Sequence, residues 1–137
     1  MKRSWALVGG LALLAVGVSA GEPARDKILD GYATQARQAA PDFAGFSAER
    51  GRALYLGPHA GGNPDSCAAC HTPDPAAMGR HYRTGRAIEP MAVRANPARF
   101  TDPTEVEKRF ARDCKNVLGR ACTPLEKGDF ITFLSVP

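Results

Sequence analysis

The 137 residues suggest one domain. Net charge is +4, falling to +2 once Lys2 and Arg3 leave with the N-terminal segment. That surplus is too mild for a nucleic-acid binder.

In chain order, Lys2 and Arg3 form a basic start, Trp5 to Val16 is apolar, and Val18-Ser19-Ala20 supplies the small residues of a signal peptidase site. Residues 1–20 read as a signal peptide and 21–137 as the mature domain. The other reading is an uncleaved anchor, but the apolar run is short for a span. Asp26 to Ala40 reads as a helix with Ile28, Tyr32 and Ala36 on one face, stopped by Pro41. Ser47 to Leu56 reads as a second helix, with Ala53, Leu54 and Leu56 as its apolar side. Gly57 to Ser66 holds three Gly and two Pro and reads as a loop.

The loop delivers Cys67-Ala68-Ala69-Cys70-His71, the C-x-x-C-H attachment signature for a c-type haem. Two thiols three positions apart can each add to one porphyrin vinyl group. The histidine that follows is then held under the ring, where its imidazole can take the proximal iron position. A thioredoxin-like C-x-x-C needs a βαβ setting this chain lacks, and a zinc ribbon needs a second Cys or His pair at metal spacing. Export fits a covalent haem c, because thioether attachment takes place outside the cytoplasm; the expected compartment is the periplasm.

His71 to Pro97 is broken by Pro73, Pro75, Pro90 and Pro97 and reads as irregular chain wrapped on a cofactor. Arg80, Arg83, Arg86 and Arg94 make either a solvated surface or a basic face for an acidic redox partner. Asp102-Pro103-Thr104-Glu105 starts a helix, with Asp102 as N-cap and Glu105 at the capping-box site. Val106 and Phe110 face inward, and the helix runs to about Lys115. Thr123-Pro124-Leu125-Glu126 repeats the start, and Phe130, Ile131 and Leu134 form the last apolar stripe. No strand pattern is visible. The expected fold is all-α, a class I cytochrome c fold of short helices around one haem. Cys114 and Cys122 are left over; in an exported protein they read as a disulfide rather than two free thiols, worth roughly 2.5 kcal/mol for so short a loop.

The sixth iron position decides the chemistry. Met91 follows His71 by only 20 residues and suits core packing as well as ligation. Met78 is too close to His71, while His59 and His81 read as surface residues. Phe110 to Asn116 lies at a better distance but holds no Met or His. Asp113 and Asn116 share a helix face there; alternatively, Asp113 is a solvated helix residue and Asn116 a C-cap.

Three further strings carry a resemblance: Thr84-Gly85-Arg86-Ala87-Ile88-Glu89-Pro90, Pro97-Ala98-Arg99-Phe100-Thr101-Asp102 with Val106-Glu107-Lys108, and Gly119-Arg120-Ala121-Cys122-Thr123-Pro124-Leu125-Glu126-Lys127-Gly128-Asp129. With C-x-x-C-H and the Cys114/Cys122 pair, they make the chain similar to the sphaeroides haem protein family of high-spin cytochromes c, from about Ile28 to Leu134. The resemblance implies an asparagine sixth ligand in the oxidised state that leaves on reduction, opening the iron to oxygen or nitric oxide. It also implies electron delivery from a dihaem cytochrome c, often beside a membrane cytochrome b. The family's asparagine directly precedes the first disulfide cysteine, and here that position is Asp113. Asp113 therefore becomes the candidate sixth ligand, with Asn116 and Met91 as alternatives.

The expected function is a mono-haem electron carrier able to bind diatomic gases (O2, NO). The alternatives are a haem enzyme acting on oxygen or nitric oxide, with Asp113 as its candidate proton donor, a low-spin Met-ligated carrier, and a protein in which haem only stabilises the fold.

Overall fold

Helix α1 spans Glu22–Ala39 and starts earlier than its apolar pattern suggests, because Pro23 at the first turn is pre-set for helix. The computed structural model describes residues 21–137, so the signal-peptide reading of 1–20 lies outside the described residues. Along α1, Arg25, Ile28, Tyr32 and Ala36 are buried at three- and four-residue spacing. Arg25 is on that face because its guanidinium donates to the carbonyls of Pro97 and Arg99, at 3.1 and 3.0 Å.

Helix α2 spans Ala48–Leu56 and is capped by Ser47, whose hydroxyl accepts from the Arg50 amide. Its inward face is Gly51 and Tyr55, with Tyr55 fully buried; Ala53 is exposed, contrary to the sequence reading. The cause is the close crossing with the last helix. A Cβ on Gly51 would stand 2.0 Å from the Asp129 carbonyl oxygen. The crossing is sealed by Asp129, buried, which accepts from the Ser47 amide and takes the Arg50 guanidinium at 2.7 and 2.8 Å.

One short helix, α3 (Ala68–His71), follows the loop. Next comes a two-residue antiparallel pair, β1 (Gly79–Arg80) and β2 (Ala87–Ile88), with Gly79 opposite Ile88. This corrects the expectation of no strand; two residues per strand leave no alternation to read.

Helix α4 (Pro103–Leu118) starts at Asp102, whose carboxylate accepts from the Thr104 and Glu105 amides. It passes the expected end at Lys115 and closes at Gly119 in the left-handed conformation, so Asn116 is inside the helix and is no C-cap. Helix α5 (Pro124–Leu134) carries a complete capping box between Thr123 and Glu126. Among the described residues no helix is long and apolar enough to cross a membrane.

The fold is mainly helical, as expected. Helix α5 packs closely on α1 and α2. Helix α4 approaches the others chiefly through side chains. Phe110 meets Tyr32 edge-on at 6.2 Å and Phe130 at 5.7 Å, and Phe130 reaches Tyr55 at 6.1 Å. With Ile28, Val106, Cys114, Ile131 and Leu134 these rings form the core, and Cys67, Ala68, Met91 and Phe100 pack on its margin.

Candidate haem site

Helix α3 places Cys67, Cys70 and His71 on one turn, with the Cys70 and His71 amides both donating to the Cys67 carbonyl. The turn ends at Thr72, whose φ of 63° breaks the helix. Its carbonyls are not left unpaired. The Tyr55 hydroxyl, at the centre of the core, lies 2.9 Å from the His71 carbonyl and 2.6 Å from that of Thr72. Helix α2 thus fixes the backbone that carries His71. The hairpin does the same from the other side, since a Cβ on Gly79 would come within 2.5 Å of the Cys70 carbonyl oxygen.

Both thiols are free. Burial, then the negative charge of Asp113, pushes the Cys67 thiol up to about 12. Burial, then the positive charge of Arg99, brings His71 down to about 4, with Asp113 opposing. His71 is therefore a neutral imidazole at pH 7, the form that ligates a metal. Among the described residues only two buried side-chain polar atoms lack a hydrogen-bond partner, Arg25 Nε and His71 Nδ1. Among the described residues no group of three His, Cys, Asp or Glu side chains stands close enough to hold a metal ion. The residues fit a haem better than a bare ion. Two free thiols and one neutral imidazole sit on a single turn at the edge of an aromatic core, and the porphyrin brings its own equatorial donors.

The other candidates are distributed as follows. Asp113 is half-exposed on α4, one position before the buried Cys114, and its charge reaches both the Cys67 thiol and the His71 imidazole. Asn116 is exposed, and its carbonyl accepts from the Asn63 amide at 3.0 Å. Met91 packs on the core margin, its amide donating to the Pro75 carbonyl in the segment after His71. His59 Nε2 lies 2.9 Å from the Leu54 carbonyl, and His81 Nδ1 accepts from the Arg83 and Thr84 amides, so each stabilises a turn. Met78 is exposed. Cys114 and Cys122 form the expected disulfide, with Cα atoms 5.6 Å apart, and tie the end of α4 to the start of α5. Arg80, Arg83 and Arg86 share the exposed hairpin, whereas Arg94 lies 3.5 Å from Asp74.

Three functional neighbours were invisible to sequence reasoning. Tyr55 stands between Leu54 and Leu56 in the apolar stretch of α2, and only the close crossing at Gly51 turns it to the centre. Arg99, held by the Pro90 and Glu89 carbonyls, brings a positive charge to His71. Arg112 grips Asp113 with both ends of its guanidinium, at 2.6 and 3.0 Å. Neither arginine stands in a pattern that marks its role.

Fold and site together define a mono-haem class I cytochrome c. The chain belongs to the SHP-like cytochromes c: residues 41–134 match the family model described as a domain of unknown function, DUF1924. It is 44% identical over 126 residues to the cytochrome c-type protein SHP of Cereibacter sphaeroides, covering 90% of this chain and 92% of that protein. The structure of oxidised SHP, described as an oxygen-binding cytochrome c, superposes with a TM-score of 0.73 at 43% identity, covering 81% of this chain and 95% of that one. The solution structure of Methylophilus methylotrophus cytochrome c'', described as giving insight into haem-ligand detachment, superposes with a TM-score of 0.70 at 36% identity, covering 80% and 90%.

Proposed function

We propose that the protein is an exported, periplasmic one-electron carrier whose haem c is bound by Cys67 and Cys70, with His71 as proximal ligand and Asp113 as a sixth ligand of the oxidised state only. When bound there, the haem would supply a one-electron couple and an iron able to take oxygen or nitric oxide. Cys67 and Cys70 hold the ring edge by thioether bonds. Tyr55 orients His71 through the backbone, and the core formed by Phe110 and Phe130, with Phe100 at its margin, packs beside Cys67. Asp113 contributes a hard, anionic oxygen donor. It holds ferric iron better than ferrous iron, because reduction removes one positive charge from its partner. It therefore favours the oxidised form and releases on reduction.

The observation that carries this reading is the turn that presents the free Cys67 and Cys70 thiols with the unpartnered His71 Nδ1, while Asp113 stands on α4 one position before the disulfide cysteine Cys114. The relatives support it: SHP is described as oxygen-binding and cytochrome c'' by haem-ligand detachment. The electron donor on this reading is a dihaem cytochrome c, with a membrane cytochrome b as a further partner. An oxygen- or nitric-oxide-converting enzyme would need a free proton donor over the iron, and Asp113 is engaged by Arg112, which favours the carrier.

Optical and paramagnetic spectra of the oxidised and reduced protein test this. High-spin spectra in both states are expected, with Asp113→Asn keeping the high-spin character and raising the redox potential. An iron–sulfur charge-transfer band in the oxidised protein, abolished by Met91→Ala, would instead make it a Met-ligated carrier.

A further inference from the structure

Arg112 and Asp113 are adjacent on α4, and side chains one position apart on a helix do not face each other. Even so, Arg112 Nε lies 2.6 Å from one Asp113 carboxylate oxygen and Nη2 lies 3.0 Å from the other. The stem of Arg112 must bend along the helix to reach them. Both side chains are about half exposed, 56% and 47%, so the pair draws the carboxylate toward solvent. A fork of this kind satisfies a carboxylate at both oxygens and competes with any other partner of those oxygens.

Resting on the reading of Asp113 as the oxidised-state ligand, we infer that Arg112 is a latch for the released carboxylate, a positioning residue that sets how readily the sixth position opens. Asp113 has two exclusive partners, the ferric iron and the Arg112 fork. When one electron from a redox-partner protein reduces the iron from ferric to ferrous, the iron–carboxylate bond breaks and its electron pair stays on oxygen. No proton moves, and Asp113 remains an anion. Two N–H···O bonds to Arg112 replace the bond that was lost, so the carboxylate does not rebind in competition with an incoming gas. The same pairing weakens ligation in the oxidised state and keeps that ligand displaceable.

The test is a double-mutant cycle on the haem-loaded protein, with imidazole as the probe ligand for the oxidised iron. Removing the fork with Arg112→Gln frees the carboxylate to compete, so imidazole affinity should fall by about threefold, the scale of an exposed ion pair. Arg112→Lys, which keeps the charge but loses the fork, should fall between. In an Asp113→Ala background Arg112→Gln should leave imidazole affinity unchanged. An equal effect of Arg112→Gln in both backgrounds would show that Arg112 acts only as a nearby charge and overturn the latch. The latch also fails if Asp113→Ala alters the oxidised spectrum and imidazole affinity but Arg112→Gln does not, and then the ligand reading stands. If Asp113→Ala leaves the oxidised spectrum unchanged, the ligand reading fails and the latch with it.

Discussion

The two halves of the molecule differ in how completely they close. On one side α1, α2 and α5 pack with Gly51 pressed to a carbonyl, and Asp129 is saturated by Ser47 and Arg50. On the other side α3 and α4 bear two free thiols, a buried imidazole nitrogen without a partner, and a carboxylate turned toward solvent. At the crossing of α2 and α5 the first half satisfies its buried carboxylate from its own residues, as interiors must. The second is complete only with the group it binds. Tyr55 spans the two halves: its ring lies in the closed core and its hydroxyl anchors the His71 and Thr72 carbonyls. The rigid half thus aims the reactive one.

This contrast is breakable at several points. The largest effect belongs to the open half: a Cys67→Ala, Cys70→Ala variant should lose all covalently retained haem in acidified organic extraction. Haem that stayed with the polypeptide would remove the basis of the site. In the closed half, Gly51→Ala forces a methyl against the Asp129 backbone, and overpacking of this kind costs up to about 3 kcal/mol. Denaturant unfolding should report the loss, and because α2 also carries Tyr55, the spectrum of bound haem should shift with it. Replacing Cys114 and Cys122 with serine should lower stability by roughly 2.5 kcal/mol, the loop-entropy value for so short a ring. Because the bridge holds the end of α4, the haem spectrum should shift too; alkylation of two thiols in freshly purified native protein would show that no bridge forms.

A smaller effect is expected at the junction. Tyr55→Phe keeps the ring and removes the one proton shared by the half-buried His71 and Thr72 carbonyls, a loss of about 1 kcal/mol. A thermal melt identical to that of the parent protein would mean that water replaces the hydroxyl.

The smallest effect concerns acid. Glu126 is held below the usual 4.5 chiefly by the hydrogen bond from Arg120, then against a burial penalty by the Thr123 amide. A carboxyl depressed in the folded state adds stability that is present above 4.5 and is lost as pH falls through the lower folded value. Glu126→Gln should therefore flatten the stability curve in that acidic window, lowering stability at pH 7, where the carboxylate's contribution is complete, and changing little below the folded value. An unchanged slope below pH 4.5 would assign the acid sensitivity to other carboxylates.

The sequence by itself determined the four longer helices and the haem motif, because both are local, but not the single turn α3 or the true end of α4. Ile28, Tyr32 and Ala36 repeat at helical spacing, Asp102 and Thr123 announce their helices within one turn, and Cys67, Cys70 and His71 are fixed by covalent chemistry over five positions. It also paired Cys114 with Cys122, since no other cysteines were free to do so. Only the tertiary structure decided that Tyr55 is the innermost residue of α2, with Leu54 and Leu56 packed at the core margin, because that depends on how closely α5 crosses at Gly51. It alone brought Arg99 to His71 and folded Arg112 back onto Asp113. Charges act across space with no regard for sequence distance, and a side chain long enough to choose between partners carries no periodic mark of its choice.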